Sequence, residues 1–341
     1  MSSESSSVSG RDENGLSWPN EKPEWPLSYR LSFFALSLFQ TTGLRINRLT
    51  GKRNLEVLLM TLLAMTLVGV AAFYLLITLF LSYLVQHVPR NPVQDPPDWG
   101  RIQDTKIAAI DGGSLEVWRI EPDTPSRGIA VFAHGWGRNR DRMVHRARMF
   151  GRWGFTTVIH SARDHGGSSR CRFVNANTFA EDIEAVLAWV QEPVVLYGHS
   201  AGAAGAIIAA VRNQDRIRCL LLEGSYADTK EGLRSLYRWV NRFFGMVFAP
   251  MIIFWWDLFY QGAMDRVSPM RLATELHSPV MIIHGEKDRR FPLSFALKLK
   301  DSFPEPDRVA LFVGKGADHS DSSHTQGYAQ AVKAFVDRNI P

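Results

Sequence analysis

Residues Pro193–Ala210, PVVLYGHSAGAAGAIIAA, constrain the fold of this 341-residue chain more than any other stretch. They begin with a short apolar run typical of a buried strand and end with small residues typical of a helix. Between the two lies Gly198-His199-Ser200-Ala201-Gly202, whose small residues let neighbouring backbone pass close to the serine. The order predicts a nucleophile elbow, a sharp turn that points the Ser200 hydroxyl out of the sheet. The alternative is a glycine-rich turn that only packs closely.

The segments on both sides of this stretch alternate between strand-like and helix-like patterns. The predicted strands are Lys106–Ile110, Leu115–Ile120, Gly128–Ala133, Phe155–His160, Ile217–Glu223, Pro279–His284 and Arg308–Val313. The predicted helices are Asp141–Gly151, Asn177–Gln191, Leu293–Phe303 and Thr325–Asn339. Such alternation predicts an α/β domain over residues 101–341, with a mostly parallel sheet covered by helices on both faces.

A serine nucleophile needs a base, and the base needs an acid that orients it. In a parallel sheet the loops after successive strands meet at one edge, so both partners are expected after later strands. Asp288 follows one predicted strand and His319 follows the next, which gives the chain order serine, acid, base. Each of the two has an alternative as an ordinary loop residue, with Asp228 as the fallback acid and His324 as the rival base.

Two backbone N–H groups are needed to stabilise the oxyanion that forms when a serine attacks a carbonyl. The first is expected from Ala201, directly after the nucleophile. The second is expected from the His134-Gly135-Trp136-Gly137 loop that follows the strand ending at Ala133. We therefore predict the amides of Ala201 and Trp136 as the oxyanion hole, the alternative for this loop being a tight structural turn.

Five short motifs in this chain resemble those of the α/β-hydrolase superfamily of serine hydrolases. They are AHGWG, RDHGGSS, YGHSAG, IIHGEKD and GADHS. The chain is similar to the branch that has one N-terminal transmembrane helix and an esterase-like or thioesterase-like domain. The resemblance implies an α/β-hydrolase fold with a helical cap, but the fold alone does not name the reaction. The RDHGGSS stretch is similar to the family's D-x-x-G-H-G-x-S turn, but His165-Gly166-Gly167 lacks the commoner arginine-glycine lead-in, a departure that concerns a structural loop.

The N-terminal third has a different composition from the rest. Val57–Val85 holds no charged residue and exceeds the roughly 20 residues that cross a bilayer, whereas a signal peptide would be shorter and closer to the N-terminus. We predict a disordered tail at 1–30, an interfacial segment at 31–53, a transmembrane helix at 54–86 and a proline-rich linker at 87–100. Cations are more numerous before the span than after it, which favours a cytoplasmic N-terminus and an extracytoplasmic domain.

Residues 228–276 interrupt the alternation of strands and helices at the place where this superfamily inserts a cap. They include the apolar stretch Phe243–Tyr260. If that stretch crossed a membrane, Ser200 would lie on one side, and Asp288 and His319 on the other. We therefore predict cap helices that do not span, either touching the membrane interface through their aromatic residues or buried against the core.

Charge and cysteine content exclude several other classes of protein. The formal net charge is +5, but basic and acidic residues are interspersed, which favours an ordinary solvated surface over a nucleic-acid site. The two cysteines, Cys171 and Cys219, form neither a disulfide framework nor a metal motif, so no cofactor or metal is expected. The oligomeric state stays open.

The sequence thus predicts a membrane-anchored serine hydrolase acting on a lipid-like or acylated small molecule, through Ser200, His319 and Asp288. The bond cleaved is expected to be a carboxylic ester or thioester with an apolar acyl chain. The alternatives are a catalytically silent scaffold or binding protein tethered to the membrane, and a serine peptidase on the same fold.

Overall fold

A computed structural model of the protein describes residues 27–88 and 90–340, with side chains described from Thr50 onward. Most of the predicted disordered tail, residues 1–26, lies outside the described residues. The chain divides after Phe73 into two compact units, of which Tyr74–Pro341 is the larger.

The first long element is helix α1, Leu27–Leu84. The predicted interfacial segment and the predicted span up to Leu84 lie on this one helix. Its part Thr50–Leu84, 35 residues, is long and apolar enough to cross a membrane. The side chains from Thr50 to Phe73 are exposed, unlike those of a helix in a soluble core.

Eight strands form one sheet in the order β1-β2-β4-β3-β5-β6-β7-β8. Their bounds are β1 Arg101–Ala108, β2 Ser114–Glu121, β3 Ile129–Ala133, β4 Thr156–His160, β5 Val194–His199, β6 Ile217–Glu223, β7 Val280–Gly285 and β8 Ala310–Gly314. The pairs β1–β2 and β2–β4 are antiparallel and the other pairs are parallel. The predicted mostly parallel sheet is thus confirmed, with strand ends shifted by a few residues.

The remaining helices connect the strands or form an insertion between β6 and β7. The connecting helices are α2 Val144–Arg152, α3 Ala176–Val190, α4 Ala201–Arg212, α10 Leu293–Asp301 and α11 Tyr328–Asn339. The inserted helices are α5 Thr229–Val240, α6 Arg242–Val247, α7 Ala249–Phe259, α8 Ala263–Arg266 and α9 Pro269–Leu272. We call the inserted set the cap.

The core of the α/β domain lies on both faces of the sheet. On one face, Ile183 of α3 and Ile207 of α4 belong to the same buried cluster as Leu196 of β5. On the other face, Phe150 of α2 and Val332 of α11 belong to a second cluster. Strand β5 is buried along its whole length because helices cover it from both sides.

The carboxyl ends of the parallel strands share one edge of the sheet. His199 pairs with Glu223, and Gly285 pairs with Gly314, so the loops after β5, β6, β7 and β8 emerge next to one another. The loop after β3 joins them, since Ala133 pairs with Gly198. Every residue predicted for the active site follows one of these strands.

Candidate active site

Ser200 occupies the turn between β5 and α4 in a strained backbone conformation, with φ 56° and ψ −118°. Such a conformation persists only where surrounding structure enforces it. The enforcement here is close backbone packing. A Cβ atom on Gly202 would lie 2.4 Å from the His134 carbonyl oxygen, so only glycine lets the start of α4 approach the loop after β3. The predicted elbow geometry is therefore present.

Ser200, His319 and Asp288 form one hydrogen-bonded chain. The His319 Nε2 atom lies 2.9 Å from Ser200 Oγ, and its Nδ1 atom lies 2.7 Å from Asp288 Oδ2. The Asp288 carboxylate is fully buried and the His319 ring nearly so. A carboxylate on Nδ1 fixes the tautomer in which Nε2 can accept a proton from the serine hydroxyl.

The Asp288 carboxylate is oriented by contacts that the sequence did not indicate. Its Oδ1 atom accepts hydrogen bonds from the backbone amides of Arg290 and Phe291, at 2.9 and 3.0 Å. The buried His284 lies 3.5 Å from Oδ2 through Nε2, which also contacts the Phe291 carbonyl at 2.7 Å. Burial lowers the pKa of His284, so a neutral ring packs beside the carboxylate.

Neither alternative acid nor alternative base reaches the serine. Asp228 caps helix α5, where its carboxylate accepts the Glu231 amide at 2.8 Å. His324 stacks on His145, with ring centroids 4.3 Å apart. Both residues therefore have structural partners elsewhere, and the side chains that follow Ser200 in the hydrogen-bonded chain are those of His319 and Asp288.

The amides of Ala201 and Trp136 lie on the two loops that meet at Ser200. Both residues line the cavity in front of the serine, and within residues 50–88 and 90–340 neither amide donates a hydrogen bond. Gly135 packs so tightly that a Cβ there would lie 3.0 Å from the Ser200 Cβ. Two free donors beside a serine oxygen are the arrangement that an oxyanion requires.

His134 explains the direction of the Trp136 amide. The ring contacts the Gly135 carbonyl through Nδ1 at 2.7 Å and the Ala162 amide through Nε2 at 2.9 Å. Burial lowers the pKa of His134 well below its usual value, and one neutral tautomer satisfies both bonds. Because C=O and N–H of a trans peptide point in opposite directions, the Trp136 N–H points away from His134.

A buried ion pair lies directly beneath the site. Arg146 binds both carboxylate oxygens of Glu223, at 2.5 and 2.6 Å, and both side chains are almost fully buried. The Glu223 carbonyl accepts the Ser200 amide at 2.8 Å, and Arg146 also donates to the Ser320 carbonyl at 3.1 Å. The pair thus connects the serine turn to the loop of His319.

A cavity of about 780 Å³ opens in front of Ser200. Its walls are mostly apolar and include Leu233, Tyr237 and Trp256 of the cap, and Val85, which directly follows α1. The charged side chains that line it within the described chain are Arg212 and Arg290, with no carboxylate. No cluster of residues suited to hold a metal ion occurs in the described part of the chain.

Comparison with known proteins places the sequence among hydrolases. Residues 124–253 match the family model described as serine aminopeptidase, S33. A monoacylglycerol lipase of Mycolicibacterium smegmatis is 24% identical over 240 residues, which cover 60% of this chain and 84% of that protein. An uncharacterized membrane protein of Saccharomyces cerevisiae is 22% identical over 282 residues, which cover 81% of this chain and 94% of that protein.

Solved structures agree on the fold. The esterase Pf2001 of Pyrococcus furiosus superposes with a TM-score of 0.58 at 16% identity, covering 75% of this chain and all of that one. Est1E of Butyrivibrio proteoclasticus, solved with ferulic acid, gives 0.56 at 17% identity, covering 69% and 99%. From its motifs, its sheet and these similarities, the chain belongs to the α/β-hydrolase superfamily and is similar to esterases and lipases within it.

Proposed function

We propose that the protein is a membrane-anchored serine hydrolase that cleaves carboxylic esters or thioesters with an apolar acyl chain. The observation that supports this most directly is the unbroken chain of hydrogen bonds from Ser200 through His319 to Asp288, at 2.9 and 2.7 Å. It ends at a serine held in the strained turn typical of an activated nucleophile.

In the proposed reaction, Ser200 Oγ attacks the substrate carbonyl while its proton moves to His319 Nε2. Asp288 stabilises the imidazolium that forms. The C–O or C–S bond to the leaving group then breaks, and His319 returns the proton to the departing alcohol or thiol. Water then gives a proton to the same histidine as it attacks the acyl-enzyme. The bond from the acyl carbon to Ser200 Oγ breaks, the carboxylic acid leaves, and His319 returns the proton to Ser200 Oγ.

The amides of Ala201 and Trp136 are proposed to receive the negative charge on the carbonyl oxygen. Neither amide donates a hydrogen bond within the described residues, so no existing hydrogen bond has to break when the charge develops. Donors already fixed in place avoid reorganisation at the moment of reaction, and removing one typically lowers kcat about 10²–10³-fold.

The serine aminopeptidase similarity suggests peptide hydrolysis as a second candidate function. An aminopeptidase has to bind a protonated amino terminus, for which a carboxylate is the natural partner. The described residues that line the cavity include Arg212 and Arg290 and no Asp or Glu. A neutral or anionic substrate with an apolar chain therefore suits the cavity better than a peptide amino terminus.

Anchoring and orientation are part of the proposal. The span would be residues 54–86, most of which belong to the helical stretch Thr50–Leu84 that the described structure leaves mostly unburied. Cations before the span are Arg45, Arg48, Lys52 and Arg53, and those after it begin with Arg90 and Arg101. Under the positive-inside rule this asymmetry favours a cytoplasmic N-terminus and a hydrolase domain on the other side of the membrane.

Labelling by a fluorophosphonate probe tests the reaction type on the full chain. We expect labelling of the wild type, loss of labelling in Ser200→Ala, and normal labelling in Ser302→Ala, whose hydroxyl bonds to the Lys298 carbonyl on α10. Absence of labelling in the wild type, or equal labelling of Ser200→Ala, would favour the silent scaffold. Rates on p-nitrophenyl esters and acyl-thioesters of increasing chain length then define the acyl group.

A further inference from the structure

The cap is hydrogen-bonded to the last turns of α1. All of these contacts lie within the larger compact unit, Tyr74–Pro341. They are Tyr74 Oη to the Val247 carbonyl at 2.5 Å, Trp255 Nε1 to Thr78 Oγ1 at 3.0 Å, Trp256 Nε1 to the Ser82 carbonyl at 2.9 Å, and Tyr260 Oη to Gln86 Oε1 at 3.0 Å. Residue numbers rise in the same order on both sides of these hydrogen bonds, so α7 runs beside α1 in the same direction.

This contact explains three polar residues in an otherwise apolar stretch. Thr78, Ser82 and Gln86 recur every four residues, so they lie on one side of the end of α1 and of the turn that follows it, and all three are buried. Polar groups inside a membrane protein are satisfied by neighbouring helices in this way. Leu81 and Val85, beside them, pack against the buried apolar cluster of the cap.

The outward faces of the same elements are apolar and exposed. On α1 they include Leu76, Phe80 and Leu84. Six large apolar side chains of the cap are more than half exposed, namely Val240, Phe243, Met246, Phe254, Leu258 and Phe259. Exposed apolar side chains concentrated in one region mark an interaction site, and their chemistry fits lipid.

The α1 contact identifies a bilayer as the occupant of this surface. The stretch from Val57 to Gln86 is uncharged, and as a helix it is about 45 Å long. It therefore exceeds a hydrocarbon core of about 30 Å. If this stretch spans the bilayer, the turns at its end lie at the edge of the hydrocarbon, and α7, bonded to those turns, lies at the same depth.

The cavity in front of Ser200 extends to the end of the proposed span and to α7. Val85 and Gln86 line it together with Trp256 and Tyr260 of the cap, and the last two side chains also make the hydrogen bonds to α1. One wall of the cavity is thus built from the end of the proposed span. An acyl chain lying in that leaflet would meet the cavity without first crossing water.

We propose that the exposed face of the cap is immersed in the membrane interface and that the active site takes its substrate, a long-chain lipid ester, laterally from the adjoining leaflet. This inference rests on the proposed serine hydrolase function. It assigns Phe254 and Leu258, one turn apart on α7, to the lipid-contacting surface and leaves the cavity walls to hold the acyl chain.

The test uses the full chain in phosphatidylcholine vesicles and two substrates, 1-oleoylglycerol in the vesicles and water-soluble p-nitrophenyl acetate. We expect the double variant Phe254→Glu/Leu258→Glu to lower the ratio of vesicle to soluble rate at least tenfold. The matched control, Leu297→Glu on α10, is also exposed but far from α1 in sequence and should leave the ratio within twofold. If the ratio is unchanged in the double variant and p-nitrophenyl acetate is still hydrolysed, lateral access is overturned but the proposed hydrolase function is not.

Failure of the proposed function gives a different result, since Ser200→Ala would then hydrolyse both substrates as fast as the wild type. A second measurement needs no activity. A fluorophore on Leu258→Cys, in a Cys171→Ser background, should be quenched at least threefold more by brominated lipid than one on Leu297→Cys. Equal, weak quenching at both positions overturns immersion and assigns the apolar face to a protein partner instead.

Discussion

Replacing Arg146 by methionine tests whether the buried ion pair beneath the active site stabilises the fold as its geometry implies. The substitution removes two hydrogen bonds to the Glu223 carboxylate, at 2.5 and 2.6 Å, where the exposed fractions of the two side chains are 3% and 0%. The carboxylate would keep the Tyr197 hydroxyl, at 2.6 Å, as its hydrogen-bond donor. A buried charge that loses its partner typically costs about 3–5 kcal/mol.

The free energy of unfolding is measured by urea titration of the full chain in a mild non-ionic detergent, followed by tryptophan fluorescence. Arg146→Met should lose about 3–5 kcal/mol. Arg308→Met is the control, because its pair with Glu305 is mostly exposed and such pairs contribute about 0–1 kcal/mol. A loss below about 1 kcal/mol in Arg146→Met would refute the reasoning.

A double variant separates the lost attraction from the stranded charge. Arg146→Met/Glu223→Leu removes both charges, so it should recover most of the stability that the single variant loses. It should not recover full activity, because Arg146 also donates to the Ser320 carbonyl next to His319, at 3.1 Å. If the double variant were as unstable as the single one, packing and not charge would explain the loss.

Three further predictions concern the site and its support. Asp288→Asn should lower kcat about 10⁴-fold, because the amide cannot hold His319 in the productive tautomer, as steady-state rates on a p-nitrophenyl ester will show. Burial lowers the pKa of His160 to about 4, below an unfolded value of about 6.5. The neutral ring therefore stabilises the fold above pH 6.5, and this is lost as pH falls towards 4. Between pH 7.5 and pH 4, the free energy of unfolding should therefore fall by about 3 kcal/mol less in His160→Phe than in the wild type. Gly202→Ala should abolish fluorophosphonate labelling, because its Cβ would lie 2.4 Å from the His134 carbonyl oxygen. The control Gly69→Ala should be labelled normally, because a Cβ atom at Gly69 would have no other atom within 4 Å.

The parts of the fold that depend on local sequence were predicted well. Strand β6 has the predicted bounds, Ile217–Glu223, and the insertion after it occupies the predicted place. Apolar runs and small-residue turns determine such elements within a few neighbouring residues. The serine turn was also visible, because a strand, the Gly-x-Ser-x-Gly pattern and a helix must be adjacent in the chain.

The supports of the site depend on contacts between distant segments, and the sequence does not indicate them. Arg146 lies in a helix with alternating basic and apolar residues, which is the ordinary pattern of a solvated face, yet its guanidinium is buried against Glu223. His284 precedes the predicted acid by four residues and reads as a strand residue. Periodicity reports which face of an element is apolar, not which buried polar groups meet there.

The two apolar zones of the chain were predicted separately, but their association was not. Hydropathy identifies a stretch that can cross a bilayer, but it does not indicate which segment packs against that stretch. A signal was nevertheless present in Thr78, Ser82 and Gln86, whose spacing of four places three polar residues on one face. In an apolar helix this pattern predicts a partner helix, and α7 supplies it.

The geometry of Ser200 and His319 limits where that partner can lie. The two residues stand before and after the cap in sequence, and their side chains meet at 2.9 Å, so the chain must return to the side from which the cap began. Helix α7 has 11 residues, or about 16 Å, half the thickness of a hydrocarbon core. A helix this short can neither cross a bilayer nor leave its aromatic face unburied without cost. The proposed position of α7, in the interface beside the end of α1, would satisfy both constraints, and it would bring the mouth of the active site to the depth of lipid ester groups.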